Sequence, residues 1–292
     1  MANLLIFAKT TVRSLVNRTS PREALLLKTN FLSQPMSSDA ASRFCRWVVR
    51  PCPRPDAARV LFCFSHAGGG ASVFSKWSRE LPAAIELGAL QLPGRENRLS
   101  EKPIQALNKL VLQLVEPVSR FANGRPFALF GHSMGALVAY ELARMMREQA
   151  PSHLFVSGRN GPDYASRSAG CASLHELPDQ ELLVELRRMG GTPDEVLNNQ
   201  ELTEILLPVF RADMAVIETY FHQPGKALSC PLYALGGSED WLTNRAGLEA
   251  WRSHTDAEFQ CRIFSGDHFY YLRQRQVLIK MIARAMTGTA AD

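Results

Sequence analysis

The stretch FALFGHSMGA, residues 127–136, decides the fold. It begins with an apolar run typical of a buried strand, and the Ala-rich segment from residue 136 to about residue 147 has helical spacing. Strand, sharp turn and helix in this order place Ser133 at the tip of the turn. Side chains at positions 131 and 135, both glycine, would crowd the tight contact between strand and helix. We therefore expect the Ser133 hydroxyl to stand above the helix N-terminus, where developing negative charge is stabilised.

Such a turn is the nucleophile elbow of α/β-hydrolases, and the rest of the chain alternates strands and helices as that fold requires. We predict an α/β-hydrolase fold with a mostly parallel sheet flanked by helices, built from residues 43–161 and 226–286. The predicted strands are residues 47–50, 60–64, 85–90, 127–130, 154–157, 231–235 and 259–264. The predicted helices of this core are residues 104–121, 136–147, 248–254 and 274–286. The alternative for the elbow is a buried turn whose serine only caps the helix.

Residues 162–225 break the alternation of strands and helices. They contain no strand candidate, and helices are predicted over 179–189, 193–197 and 201–221. An all-helical insertion at this place predicts a helical lid over the carboxyl edge of the sheet, where open α/β folds bind ligands. For the apolar stripe that begins at Leu206, an ordinary amphipathic helix packed on the core is an equally good interpretation.

Composition limits the possible functions. The chain has 292 residues, 46% of them hydrophobic, which suffices for one large core. Of the formal charge of +5, residues 1–35 carry +4, so the remainder is nearly neutral and shows no nucleic-acid patch. The chain contains no apolar run of about 18 residues, so no membrane span is predicted. The six cysteines show no metal-binding spacing, which favours free thiols in a reducing compartment such as the cytoplasm.

Residues 1–35 differ from the rest because they are basic, acid-poor and rich in Ser, Thr and Asn. An organelle-targeting segment and a start-site extension ahead of Met36 both fit this composition. We expect this segment to be poorly ordered and exclude it from the fold.

A serine hydroxyl is a weak nucleophile until a base takes its proton and a third group orients that base. In the chain order Ser, Asp, His of hydrolases, the loops after the last two strands supply Asp240 and His268. We predict His268 as the base and Asp240 as the acid. Glu239 and Asp267 compete with Asp240, although Asp267 is badly placed to hold the ring of the next residue.

The Gly-rich loop SHAGGG, residues 65–70, follows the strand 60–64. In α/β-hydrolases this loop donates one N–H to the oxyanion hole, and the Ala67 N–H is our candidate. A plain strand–helix turn is the first alternative. Phosphate binding is the second, and it is disfavoured because neither GKS/T nor a second GxGxxG element follows.

With these residues placed, residues 58–286 resemble the type II thioesterases, stand-alone α/β-hydrolases of nonribosomal peptide and polyketide synthesis related to the medium-chain acyl-carrier-protein hydrolases. The matching segments are FSHAGG 64–69, QLPGRE 91–96, GHSMGA 131–136, SGR 157–159, LRRMGGTP 186–193, LPVFRAD 207–213 and GDHF 266–269. The chain departs from the family in three ways. Ser65 replaces a usual Pro, the loop around Asp240 is variable in the family, and residues 1–35 have no counterpart.

The resemblance implies a thioester hydrolase that removes acyl groups from the phosphopantetheine arm of carrier proteins and so edits or regenerates a synthase. It implies an oxyanion hole made by the Ala67 and Met134 N–H groups. We expect no metal or diffusible cofactor, a carrier-protein domain as partner, and a monomer. The alternatives are a carboxylesterase or lipase-like hydrolase, a medium-chain fatty acyl-carrier-protein hydrolase, and a non-catalytic binding protein on the same fold.

Overall fold

The computed structural model describes residues 46–164 and 173–288, whose strands form one seven-stranded sheet. The strands are β1 (Val48–Val49), β2 (Arg59–Phe64), β3 (Ile85–Leu90), β4 (Phe127–His132), β5 (His153–Ser157), β6 (Leu232–Gly237) and β7 (Phe259–Phe264). Their order is β1-β3-β2-β4-β5-β6-β7. Only the edge pair β1–β3 is antiparallel, and every other neighbouring pair is parallel. The predicted mostly parallel sheet is confirmed.

Helices cover both faces of this sheet. The α-helices of the described residues are α1 (Trp77–Glu80), α2 (Leu107–Ala122), α3 (Met134–Met145), α4 (Asp179–Met189), α5 (Asp194–Leu197), α6 (Gln200–Glu218), α7 (Arg245–Glu249), α8 (Tyr270–Arg273) and α9 (Arg275–Thr287). Along β2, Val60, Phe62 and Phe64 pack with α2 and α3, whereas Leu61 and Cys63 pack with α1 and α9. Strands buried on both faces are apolar throughout, which explains why they are visible in the sequence.

The predicted boundaries differ from the structure in two informative places. The segment predicted as one helix over 248–254 is instead α7 followed by a tighter 3-10 helix, Ala250–His254. The apolar stripe of the 201–221 prediction runs past the end of α6 at Glu218, and Phe221 lies 78% exposed beyond it. Periodicity alone locates a helix but does not fix its last turn.

Helices α4, α5 and α6 enclose a small apolar cluster of their own. Its most buried members are Leu182, Leu186, Leu197, Phe210 and Met214. Residues 173–225 contain no strand, but the division of the chain into core and lid remains a prediction. The segments 1–35 and 165–172 lie outside the described residues.

Two observations bear on the expectations from composition. None of the described helices is both long and apolar enough to cross a membrane. Cys63 and Cys230 are buried free thiols, and Cys52 and Cys261 are partly buried and free; the other two cysteines lie outside the described residues. Burial raises the pKa of the Cys63 thiol well above its usual range, so this thiol is a packing group and not a reactive one.

Candidate active site

The elbow has the backbone geometry that its sequence demands. Ser133 has φ 56° and ψ −114°, a region that non-glycine residues rarely adopt. A Cβ at Gly131 would overlap the carbonyl oxygen of Gly135, and a Cβ at Gly135 would overlap that of Phe64. The Ser133 N–H donates to the Ser157 carbonyl at 2.8 Å, which anchors the strained residue to β5. The side chain is partly exposed at the carboxyl edge of the sheet.

The predicted base and acid meet at the same edge. His268 Nδ1 lies 2.8 Å from Asp240 Oδ2, with side-chain exposures of 6% and 0%. Since a carboxylate only accepts hydrogen bonds, His268 carries its proton on Nδ1 and leaves Nε2 able to accept one. Asp240 is further held by the Leu242 N–H and the Thr243 hydroxyl, each at 2.9 Å.

The two competing carboxylates are placed elsewhere. Asp267 accepts the Phe269 N–H at 2.9 Å and lies 3.4 Å from Arg273, with 45% of its side chain exposed. Glu239 is exposed on the surface. Neither contacts the His268 ring, so the structure brings only Asp240, of the three candidates, to the base.

No hydrogen bond joins Ser133 to His268 in the part of the chain that the structure describes. Among the described residues the Ser133 hydroxyl has no hydrogen-bond partner. The residue before Ser133, His132, lies beside the base: its ring centroid is 4.8 Å from that of His268, and its Nδ1 lies 2.9 Å from Ser157 Oγ. Catalytic hydrogen bonds are often long before substrate binds and tighten in the complex.

Three histidines cluster here, and their surroundings separate their roles. Burial lowers the pKa of His132 well below its usual range, and repulsion from His268 and His66 lowers it further. Burial, with the charges of His268 and Arg95, lowers the pKa of His66 to about 4. Both rings are therefore neutral at pH 7. Only His268 has a carboxylate partner, which stabilises the positive charge that a general base acquires.

The loop after β2 lies beside the elbow, because Phe64 pairs with Gly131 in the sheet. Neither the Ala67 N–H nor the Met134 N–H has an acceptor among residues 46–164 and 173–288, so both are free to bind an oxyanion. Ser65, which departs from the family pattern, donates its hydroxyl to the Gly69 carbonyl at 2.7 Å. This bond braces the loop from within, as a ring-constrained proline would otherwise do.

The phosphate-binding alternative for this loop does not fit the structure. The Gly68 N–H donates to a carboxylate oxygen of Asp213 at 2.7 Å, and the Ala71 N–H donates to the Gln91 side chain at 2.8 Å. A carboxylate thus occupies the position that a phosphate would need.

Sequence reasoning missed the side chains that hold the loop. Glu96 accepts hydrogen bonds from the N–H and the hydroxyl of Ser72, and Gln91 also donates to the Arg95 carbonyl at 2.9 Å. These residues belong to QLPGRE, which served only as a mark of resemblance. QLPGRE is a specific motif that contains no catalytic group, which indicates a structural role for its polar side chains. This is the signal in the sequence for the residues that hold the loop.

A groove of about 930 Å³ lies between residues 102–105 and helices α4, α5 and α6. Ser133, Asp240 and His268 do not line it. This groove is therefore separate from the three candidate catalytic side chains.

A serine on a strand–helix elbow, with a histidine and an aspartate from the last two strand ends, defines an α/β-hydrolase site. The family model described as Thioesterase domain matches residues 59–286. The chain belongs to this thioesterase family and is a thioester hydrolase.

Similar proteins extend the comparison along most of the chain. A Brevibacillus parabrevis protein named linear gramicidin dehydrogenase LgrE is 42% identical over 243 residues, covering 81% of this chain and 91% of that protein. The gramicidin S biosynthesis protein GrsT of Aneurinibacillus migulanus is 40% identical over 250 residues, covering 84% and 95%. The solved type II thioesterase BorB, from the borrelidin biosynthetic cluster, is 38% identical with a TM-score of 0.74, covering 82% and 97%.

Proposed function

We propose that this thioesterase removes acyl groups from the phosphopantetheine arm of carrier-protein domains in a nonribosomal peptide or polyketide synthase. The observation that carries the proposal is the buried Asp240–His268 pair beside the Ser133 elbow, in a chain similar along nearly the whole length of BorB. BorB is a type II thioesterase from the borrelidin biosynthetic cluster, and GrsT is named for gramicidin S biosynthesis. We do not carry the dehydrogenase name of LgrE over to this chain, since in its Gly-rich loop the Gly68 N–H donates to the Asp213 carboxylate and not to a nucleotide phosphate.

In this proposal the three side chains share one proton-transfer sequence. His268 Nε2 takes the hydroxyl proton of Ser133 as its oxygen attacks the thioester carbonyl. Asp240 holds the Nδ1 proton and offsets the positive charge on the ring. As the C–S bond breaks, His268 gives its proton to the departing pantetheine sulfur, which leaves as the thiol; the same base then activates a water that releases the acid from Ser133.

The oxyanion formed in each step needs donors that are already in place. We assign this role to the Ala67 and Met134 N–H groups, which follow the neighbouring strands β2 and β4 and lack other acceptors among the described residues. One such donor is worth roughly 10²- to 10³-fold in turnover. With this stabilisation supplied by the backbone, the proposed reaction needs neither a metal nor a diffusible cofactor.

The test is a panel of substrates that share one acyl group. The panel comprises the carrier-protein thioester, the coenzyme A thioester and a simple ester, and a medium-chain fatty acyl carrier is added as a second series. We expect the highest kcat/KM on synthase carriers, and Ser133→Ala serves as the blank. A higher value on the simple ester would contradict the proposal, and preference for the fatty acyl carrier would replace it with the medium-chain alternative.

A further inference from the structure

A buried ion pair lies against the oxyanion loop and is not part of the proposed proton-transfer sequence. Arg95, which follows β3, and Asp213 on α6 form two parallel bonds of 2.7 and 2.8 Å. Their side chains are 6% and 2% exposed. Burying both charges costs free energy, and apolar residues of similar size in their place often stabilise a fold at least equally. The presence of this pair therefore calls for a use other than packing.

The pair holds the backbone of the two residues that follow Ala67. Asp213 Oδ2 accepts the Gly68 N–H at 2.7 Å, and Arg95 Nη1 donates to the Gly69 carbonyl at 3.2 Å. The carboxylate thus holds a backbone donor and the guanidinium holds a backbone acceptor of the same short segment. A change in either one would loosen both residues.

This segment is a β-turn. The Gly69 N–H donates to the His66 carbonyl at 3.0 Å, and Gly68 has φ 77° at the third position. A positive φ there, with an ordinary one at Ala67, is the signature of a type II turn. A type I turn differs mainly by a flip of the central peptide, which would turn the Gly68 N–H away and direct the Ala67 carbonyl at the carboxylate. Asp213 therefore selects one orientation of this peptide.

This β-turn also fixes the direction of the Ala67 N–H, the proposed oxyanion donor. The Ala67 N–H shares a planar peptide with the His66 carbonyl and points opposite to it. Because the Gly69 N–H holds that carbonyl, the direction of the Ala67 N–H depends on where Gly69 lies. Helix α6 also packs directly on the turn, since a Cβ at Gly68 would lie 3.4 Å from Phe210.

We propose that Asp213, supported by Arg95, is a positioning residue that aims the Ala67 N–H at the reacting carbonyl. The inference rests on the proposed oxyanion hole. It makes a helix of the predicted lid part of the catalytic apparatus, although no side chain of that helix is assigned a chemical step.

The first test is Asp213→Asn, which keeps the shape and removes one acceptor oxygen and the charge. Asp179→Asn is the matched control, because Asp179 also lies in the helical segment and pairs with Arg211 at 2.6 Å without touching the turn. We expect kcat to fall about 10- to 100-fold in Asp213→Asn, part of the loss of one oxyanion donor, with KM nearly unchanged. The control should stay within about twofold of wild type, as expected for a partly exposed ion pair.

A transition-state readout separates positioning from a merely structural role. A trifluoromethyl ketone adds the Ser133 oxygen to its carbonyl and places an oxyanion in the hole, whereas a thioether analogue of the substrate does not. Asp213→Asn should raise the inhibition constant of the ketone by the same factor by which it lowers kcat/KM. The inhibition constant of the thioether should stay unchanged. Equal weakening of both would overturn the inference.

A double variant covers the case in which Asp213→Asn folds poorly. Arg95→Met with Asp213→Leu replaces the pair by apolar groups and removes the acceptor of the Gly68 N–H, so its free energy of unfolding should fall by no more than about 1–3 kcal/mol and the variant should stay folded. If the pair positions the turn, turnover stays low in this folded variant; recovery of wild-type turnover would overturn the inference. All variants are also assayed on a simple ester, which needs the same oxyanion hole, so a failure of the carrier proposal would leave this test intact.

Discussion

Replacing Asp240 by Asn tests the proposed acid, because the change removes a charge and almost no volume. The carboxylate accepts the Leu242 N–H on Oδ1 at 2.9 Å, and on Oδ2 it accepts the Thr243 hydroxyl at 2.9 Å and His268 Nδ1 at 2.8 Å. An amide has one acceptor oxygen and one NH₂ group that only donates. One of the two positions must therefore change its partners.

The partners decide which position the NH₂ takes. At Oδ1 it would face the fixed Leu242 N–H, and an unsatisfied buried donor costs about 1–3 kcal/mol. At Oδ2 it would face the Thr243 hydroxyl, which can rotate to accept, and His268 Nδ1, which can accept once its proton moves to Nε2. The second placement is favoured. His268 then carries its proton on Nε2, and Nε2 is the nitrogen that must accept the proton of Ser133.

We therefore expect Asp240→Asn to lower kcat by about 10⁴, equivalent to about 5 kcal/mol in the barrier. Its free energy of unfolding should fall by no more than about 2 kcal/mol, since the hydrogen bonds are exchanged and not lost. The assay is steady-state hydrolysis of a short acyl thioester, with the released thiol trapped by a dye, beside urea unfolding. Asp267→Asn is the matched control and should keep its turnover. The reasoning is refuted if Asp240→Asn retains more than about a tenth of wild-type kcat or if the control loses as much.

Three further outcomes follow from the same site. Ser133→Ala should lose at least about 10³-fold in turnover and keep the wild-type melting temperature; a residual rate above about a tenth would remove Ser133 as the nucleophile. Because burial lowers the pKa of His66 to about 4 from its ordinary 6.5, the unfolded chain binds a proton more readily between these values, and stability should fall as pH drops, by up to about 3 kcal/mol. Urea unfolding of wild type and His66→Gln between pH 7 and pH 4.5 checks this, and equal pH slopes would contradict it. In hydrogen exchange, amides of α4 should exchange well before those of β4; simultaneous exchange would make α4 a fixed wall.

The sequence predicted the sheet well because β3 and β7 are short apolar or alternating runs bounded by turn residues, and their predicted limits match the structure. The elbow was equally visible, since two glycines and a serine between strand and helix have few other uses. The rule that strand ends meet at one edge locates the loops that hold Asp240 and His268 and needs no coordinates, but the choice between Glu239 and Asp240 within one loop needs the contact that the structure shows.

The supports of the site were not predictable in this way. Arg95 and Asp213 are separated by 118 positions and meet only because α6 crosses the loop after β3. Periodicity shows which face of α6 is apolar, but Asp213 interrupts that face, and nothing local names its partner. Likewise, the sequence does not predict the partners of His132. Its contact with Ser157, and through Ser157 with the Tyr270 hydroxyl at 2.6 Å, depends on where β5 and α8 come together.

These contacts also divide the predicted lid into two parts with different attachments. Helix α6 is tied to the oxyanion loop by a buried ion pair, so moving it would strip two charges of their partners, a change that costs about 3–5 kcal/mol when one partner is removed by mutation. Among residues 46–164 and 173–288, no buried ion pair holds the turn between α4 and α5. Gly190 and Gly191 there have φ of 69° and 84°, and Gly191 lies so close to the Phe269 ring, beside His268, that a Cβ would overlap it. A motion of α4 and α5 away from Phe269 would leave the buried ion pair and the proposed oxyanion loop assembled, and its cost is the separation of α4 and α5 from the apolar cluster that they share with α6. The earlier exchange of α4, relative to α6 as well as β4, is the observable consequence of that division.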